Sequence, residues 1–350
     1  RIARLMAGPM NLLAQIAFSQ VVVDPEGLFQ EPVSFPTGAL DLRLRLAPLR
    51  LDIGQLALVD ADGDRLILSG GLEAEPEGWA ASLDVSLDRT DAGRLLKLWP
   101  VSAVTKTRTW FAENVDQADL TDVRAALRLT PGSPARLTLG YEFAEAAVRI
   151  VRTLPPVLGA RGHATLEDKV YTVQLERGHI IPPEGGRIEA DGSVFQVLDV
   201  TQRPATAKIT LHTSSSLTAT LSLLDQEPFS FFSKAGQPVN LGDGRAELTA
   251  TLFMPLRPKV MLPDVSFVVS GRIVDFTSPA LVPGRILHAP EVAVAVDTKG
   301  LTLSGKGTLD LLPIDLTYRQ GFGPDQNGRA RVNGTVLLSD AAMRDLGIEL

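Results

Sequence analysis

The stretch Leu40-Asp41-Leu42-Arg43-Leu44-Arg45-Leu46 decides how this chain folds. Apolar and charged residues alternate with a period of two, the period at which side chains switch faces along a β-strand. The pattern extends outward in both directions. Trp79, Ala81, Leu83, Val85 and Leu87 interleave with Ser82, Asp84, Ser86 and Asp88. It returns at Tyr171, Val173 and Leu175, at Leu217, Ala219 and Leu221, at Leu248, Ala250 and Leu252, and at Val332, Val336 and Leu338. Each segment therefore has one greasy face and one wet face, and the functional question is what covers the greasy one.

Turn residues break these runs at intervals of about 8 to 14 residues, the rhythm of an all-β protein. Asp62-Gly63, Gly70-Gly71, Glu77-Gly78, Pro131-Gly132, Arg177-Gly178, Gly185-Gly186, Asp191-Gly192, Asp243-Gly244, Lys299-Gly300 and Asn327-Gly328 are the clearest. Short connections favour antiparallel neighbours, which predicts a meandering sheet. A few short helices interrupt it. Thr90–Trp99 has a capping residue followed by Leu95, Leu96 and Trp99 at helical spacing, and 101–115 reads as a second helix. Residues 221–235 read as a helix or a loop with apolar anchors, and 339–346 as a short capped helix. Ser214-Ser215-Ser216 reads as a polar turn. The chain is read as a fragment, residues 1–350 forming one continuous β domain. A sub-boundary at 98–115 is possible, and Pro155-Pro156 and Pro182-Pro183 are other joints.

Composition narrows the function. A hydrophobic content of 45% argues against disorder, while an aromatic content of 5% leaves the apolar faces to Leu, Val, Ile and Ala and disfavours a sugar-stacking platform. A net charge of −7 without a long Lys/Arg cluster disfavours nucleic acid. With no cysteine, the chain has no disulfide, thiolate metal site or cysteine nucleophile. No run of about 18 apolar residues is present; the best candidate, 5–18, is broken by Gly8, Pro9, Asn11 and Gln15.

Catalytic and metal chemistry finds no constellation. Asp60-Ala-Asp-Gly-Asp64 begins like a calcium loop, but its glycine precedes Asp64 and the twelfth position is Gly71, which reads as a polar hairpin turn. Gly305-Lys306-Gly307-Thr308 lacks phosphate-loop spacing and reads as a Gly-rich strand. His163, His179, His212 and His288 lie far apart. The expectation is a non-enzymatic protein with no cofactor and no metal.

The passage 98–114 adds a resemblance. Trp99-Pro100, then a basic helix with Arg108, Trp110 and Asn114, then strands, resembles the AsmA-like envelope proteins, their YhdP branch in particular. The run 162–200, with Glu176-Arg177-Gly178, Gly192-Ser193-x-Phe195 and Asp199, is similar in style, and 223–228 and 341–347 add to it. The resemblance implies an elongated, curled antiparallel sheet forming an apolar groove. It implies a bridge-like lipid-transfer protein of the Gram-negative cell envelope, anchored to the inner membrane by a segment outside this chain. Such a protein would cross the periplasm and carry phospholipid towards the outer membrane. Candidate groove-lining residues are Leu42, Leu44, Leu83, Val85, Val173, Leu175, Leu217, Leu221, Leu248, Leu252, Val294 and Leu303. Alternation alone fits two other readings equally: a sandwich of two sheets pressed together, and an envelope scaffold that binds other proteins through its sheet edges.

Overall fold

The computed structural model describes residues 11–227, 229–257, 259–322 and 330–337. Within them the chain is all-β, as the alternation requires: eighteen antiparallel strands in one sheet and a few short helices. In chain order the first elements are β1 (Asn11–Val23), β2 (Val33–Leu46), β3 (Leu49–Val59), β4 (Arg65–Glu75) and β5 (Gly78–Asp91). Two helices follow, α1 (Ala92–Leu98) and α2 (Thr105–Asn114), then β6 (Val115–Leu129), β7 (Arg136–Val148), β8 (Val157–Glu167), β9 (Val170–Ile180), β10 (Ile188–Glu189), β11 (Val194–Val197) and β12 (Ala205–Ser216). The helices α3 (Leu217–Leu224) and α4 (Phe231–Lys234) precede β13 (Asp243–Leu256), β14 (Ser266–Val282), β15 (Arg285–Asp297), β16 (Gly300–Leu309), β17 (Leu312–Gly321) and β18 (Ala330–Val336). The expected helix at 339–346 and the turn at Asn327-Gly328 lie outside the described residues.

Two compact units divide the chain: Arg1–Val148 with Arg161–Val173, and Arg149–Ala160 with Gln174–Leu350. The helical interruption at 92–114 lies inside the first unit, and Pro155-Pro156 falls in the segment 149–160. Within the first unit each of β1 to β7 pairs with the next strand in sequence. Within the second, β12 to β18 do the same.

Two sequence expectations are corrected here. Gly70-Gly71 and Arg177-Gly178 are not turns but lie inside β4 and β9, where glycine marks close approach within the sheet and not a chain reversal. Leu217, Ala219 and Leu221 are not a strand but the helix α3. The preceding Ser214–Ser216 is not a turn but the end of β12, and Ser216 caps the helix by accepting a hydrogen bond from the Ala219 N–H. Leucines four apart satisfy a helical period as well as a period of two, and the cap decides between them.

Glycine shapes the middle of each unit. Gly70 on β4 has φ +144° and Gly271 on β14 has φ +157°. A Cβ at Gly70 would meet the Ser82 carbonyl oxygen, and one at Gly271 would meet that of Glu247. Neighbouring strands thus approach more closely there than any side chain permits.

Candidate functional site: the apolar faces of the two units

Cross-strand register converts the alternation into surfaces, because directly paired residues share a face. In the first unit Leu12, Leu44, Leu51, Leu72, Ala81 and Leu129 form one transverse row. Beside it run Ala14, Leu42, Ile53, Gly70, Leu83, Leu127 and Leu137, then Ile16, Leu40, Leu56, Leu68, Val85, Ala125 and Leu139. No charged residue enters these rows. The opposite face carries Arg45, Arg50 and Glu73, with Arg43 and Asp52 in the next row.

The second unit repeats the arrangement. Thr213, Leu248, Gly271, Val294, Leu303, Tyr318 and Val332 make one row. Leu211, Ala250, Val269, Val296, Leu301 and Gln320 make another, and Ile209, Leu252 and Phe267 a third.

Eight of the twelve sequence candidates thus fall on these two faces: Leu42, Leu44, Leu83 and Val85 in the first unit, Leu248, Leu252, Val294 and Leu303 in the second. Val173 joins the first set. It sits two residues from Tyr171 on β9, and the Tyr171 hydroxyl lies 2.6 Å from that of Tyr141, which follows Leu137 and Leu139 by alternation on β7. Leu175 follows Val173 at strand spacing and is half-buried. Leu217 and Leu221 do not line a strand face. They lie over one, packing α3 against Ile273, Phe276 and Ala289 at one end of the second unit's rows.

The faces are only partly covered. Every strand belongs to the same sheet, and among the described residues α1 lies against β5 and β6, α2 against β6, and α3 against β12 and β13. Most row leucines are half-buried, and exposure rises at the margins, to 57% at Leu12, 42% at Leu137 and 62% at Val332. The most deeply buried side chains are small or lie off the leucine rows: Ala164, Ala207, Ala219 and Ser278 at 0%, and Ile188 of β10. The next row of the same face, Leu58, Leu66 and Leu87, is more covered, with Leu58 at 6% and Leu87 at 7%, whereas a close-packed sandwich core would hide the leucines of every row.

The wet faces are held by ion pairs across strands. Asp52 accepts from Arg50 and Arg45, and Arg50 also reaches Glu73. The hydrogen bond from Arg50, then that from Arg45, holds the Asp52 carboxyl below its ordinary range despite some desolvation. Glu247 is held low in the same way by Arg245 and Arg272. Burial pushes the Tyr141 hydroxyl well above its usual value. Two open depressions, of about 810 and 750 Å³, are lined mainly from these wet faces, around Ser69, Asp84, Ser86 and Arg124 and around His212, Arg245, Glu247 and Arg272.

Sequence reasoning missed how the helices are fastened. The Asp60 turn is more than a hairpin: Asp60 Oδ1 accepts from the Asp62 and Asp64 N–H groups, and its other oxygen meets Arg94 of α1. Asp91 caps α1 by accepting from the Arg94 N–H, and Arg108 of α2 donates to the Leu96 carbonyl. In the second unit the Ser216 hydroxyl donates to the Gly185 carbonyl, and the Ser222 hydroxyl accepts from the Glu184 N–H, pinning α3. No spacing in the sequence joins Asp60 to Arg94 or Ser222 to Glu184.

No group of three or more metal-ligating side chains occurs among the described residues, and no helix there is long and apolar enough to cross a membrane. No protein family, no curated protein and no solved structure matches the chain.

Proposed function

We propose that the two apolar faces hold the acyl chains of phospholipids, and that the chain works without catalysis as part of a lipid-transfer conduit. The observation that carries this reading is the set of uncharged, largely aliphatic rows, six or seven strands wide, most of whose leucines keep part of their surface exposed. The resemblance to the AsmA-like envelope proteins supports the same role, as a periplasmic groove carrying phospholipid between inner and outer membrane.

Dimensions and energies agree with it. Six strand spacings from β1 to β7 amount to about 29 Å, and the seven positions from Leu12 to Phe18 along β1 to about 20 Å. The tails of one bilayer leaflet occupy about 15 Å, half the hydrocarbon thickness. Burying a methylene is worth about 0.8 kcal/mol, so a 16-carbon chain pressed on such a face with half its surface covered gains about 6 kcal/mol. Uniform aliphatic rows also let a chain slide, since each step exchanges one methylene contact for an equivalent one.

A second reading is favoured by β18, every residue of which is exposed and which among the described residues is registered against β17: an open strand edge pairs readily with another chain, as a docking scaffold would. Organic extraction of the purified chain followed by mass spectrometry separates the two. Stoichiometric phospholipid supports the conduit. A folded chain free of lipid, and unable to take it up from vesicles, contradicts it.

A further inference from the structure

Basic side chains are treated differently at the two ends of the second unit's strands. Towards the end closed by α3, Arg285 pairs with Asp310, Lys306 with Asp315, and Arg272 with Glu247 and Glu291. At the opposite end Lys299, in the turn between β15 and β16, and Arg319 and Arg331, on β17 and β18, are exposed and have no acidic partner among the described residues. Two acids near that end are already engaged. Asp264 holds Arg257 and the Met261 N–H, and Asp297 caps the Lys299 and Gly300 N–H groups.

Arg319 and Arg331 are also direct cross-strand partners. Their Cβ atoms stand about 5 Å apart on one face, where like charges oppose each other unless an anion joins them. Arg319 lies two residues, about 7 Å, from the last residue of β17, and Arg331 is the second residue of β18. Either guanidinium is therefore within a side chain's length of the strand end. On the other face of the same strands lie Leu303, Tyr318 and Val332. From Phe267 near the open end to Ile273 beneath α3 the apolar face runs six residues, about 20 Å, enough for one leaflet's tails.

We infer that Lys299, Arg319 and Arg331 form a phosphate-binding rim, which orients a lipid with its headgroup at this strand end and its tails towards α3. The inference rests on the tail-binding role proposed above. Guanidinium groups suit the task because their paired N–H donors match phosphate oxygens. The first unit has a comparable pair, Arg128 opposite Arg136, but Arg128 is held by Asp84 through two hydrogen bonds, so the rim is assigned to the second unit alone.

The test is calorimetric titration of the whole chain with three probes below their micelle concentrations: lysophosphatidylglycerol, a monoacylglycerol with the same tail, and inorganic phosphate. The chain as it stands should bind the phosphate lipid about 10-fold or more tighter than the uncharged one, the effect of one charge-assisted hydrogen bond or more. The triple variant Lys299→Gln, Arg319→Gln, Arg331→Gln should lose that preference and keep its affinity for monoacylglycerol. The single variant Arg331→Gln, on the exposed edge strand, should lose part of it and guards against a folding failure of the triple. Equal affinity for both lipids, or a preference that survives in the variants, overturns the rim. Inorganic phosphate binding as tightly as the lipid overturns the headgroup assignment in favour of a free-anion site. Failure of both lipids to bind overturns the tail-binding reading itself.

Discussion

Leu83→Asp separates an uncovered apolar face from a closed core. Leu83 is half-buried and stands in its row between Gly70 and Leu127, so one flank has no side chain at all. Fully burying a leucine is worth about 1.5–3 kcal/mol, and half of that, about 0.8–1.5 kcal/mol, is at stake here. A carboxylate introduced at this position keeps its hydration through the open side, so the several kcal/mol penalty of a buried charge does not arise. Urea unfolding followed by circular dichroism should therefore show a folded protein destabilised by about 1–2 kcal/mol with an unchanged m-value. Lipid uptake from vesicles by the same variant should drop severalfold, because the charge interrupts the middle of a row. A loss above about 4 kcal/mol, or failure to fold, would show that Leu83 sits in a close-packed interior and refute the argument.

Further expectations follow from named contacts. Gly70→Ala and Gly271→Ala each force a Cβ onto a neighbouring carbonyl at a backbone angle that other residues rarely adopt, and each should cost about 2–4 kcal/mol in urea unfolding; a neutral result would contradict the close approach. Arg94→Ala strips the partner from the buried Asp60 and should cost about 2–3 kcal/mol, with α1 gaining faster amide exchange than the strands. Tyr141→Phe leaves the Tyr171 hydroxyl alone and should cost about 1 kcal/mol, whereas adding Tyr171→Phe should recover part of the loss; simple additivity would show that the hydroxyl pair contributes nothing. Asp52 and Glu247 have folded-state pKa values below their ordinary 3.8 and 4.5, so the stability they supply is complete above those values and fades as pH falls through the depressed folded values. The urea midpoint of Asp52→Asn, Glu247→Gln should thus fall less steeply than that of the unaltered chain between pH 5 and 3, and identical slopes would remove the two ion-pair sets from the account.

Much of this architecture can be read in the sequence because the strand period is local. Leu40 to Leu46 fixes which side chains face together, and short Gly turns fix which strands meet, so Leu42 and Leu83 arrive on one surface without any long-range information. Thr90–Trp99 was equally legible, since its cap and its leucines lie within one helix length; the structure starts the helix at Ala92 with Asp91 as the cap. Leu217 and Leu221 are not legible as helix from spacing alone, because a spacing of four belongs to both periods and only the Ser216 cap resolves it. What local pattern cannot supply is fastening between distant segments. Asp60 to Arg94 and Ser222 to Glu184 join segments more than thirty residues apart.

The central claim is that acyl chains rest on the leucine faces and not on the opposite ones. A photoactivatable side chain placed singly at Leu83, Leu248, Ser82 or Thr249, irradiated after loading with phospholipid and analysed by mass spectrometry, tests it directly. The first two positions lie on the apolar faces and the last two on the wet faces of the same strands. Lipid adducts at 83 and 248, and none at 82 and 249, are the expected result. Adducts at all four positions, or at none, would contradict it.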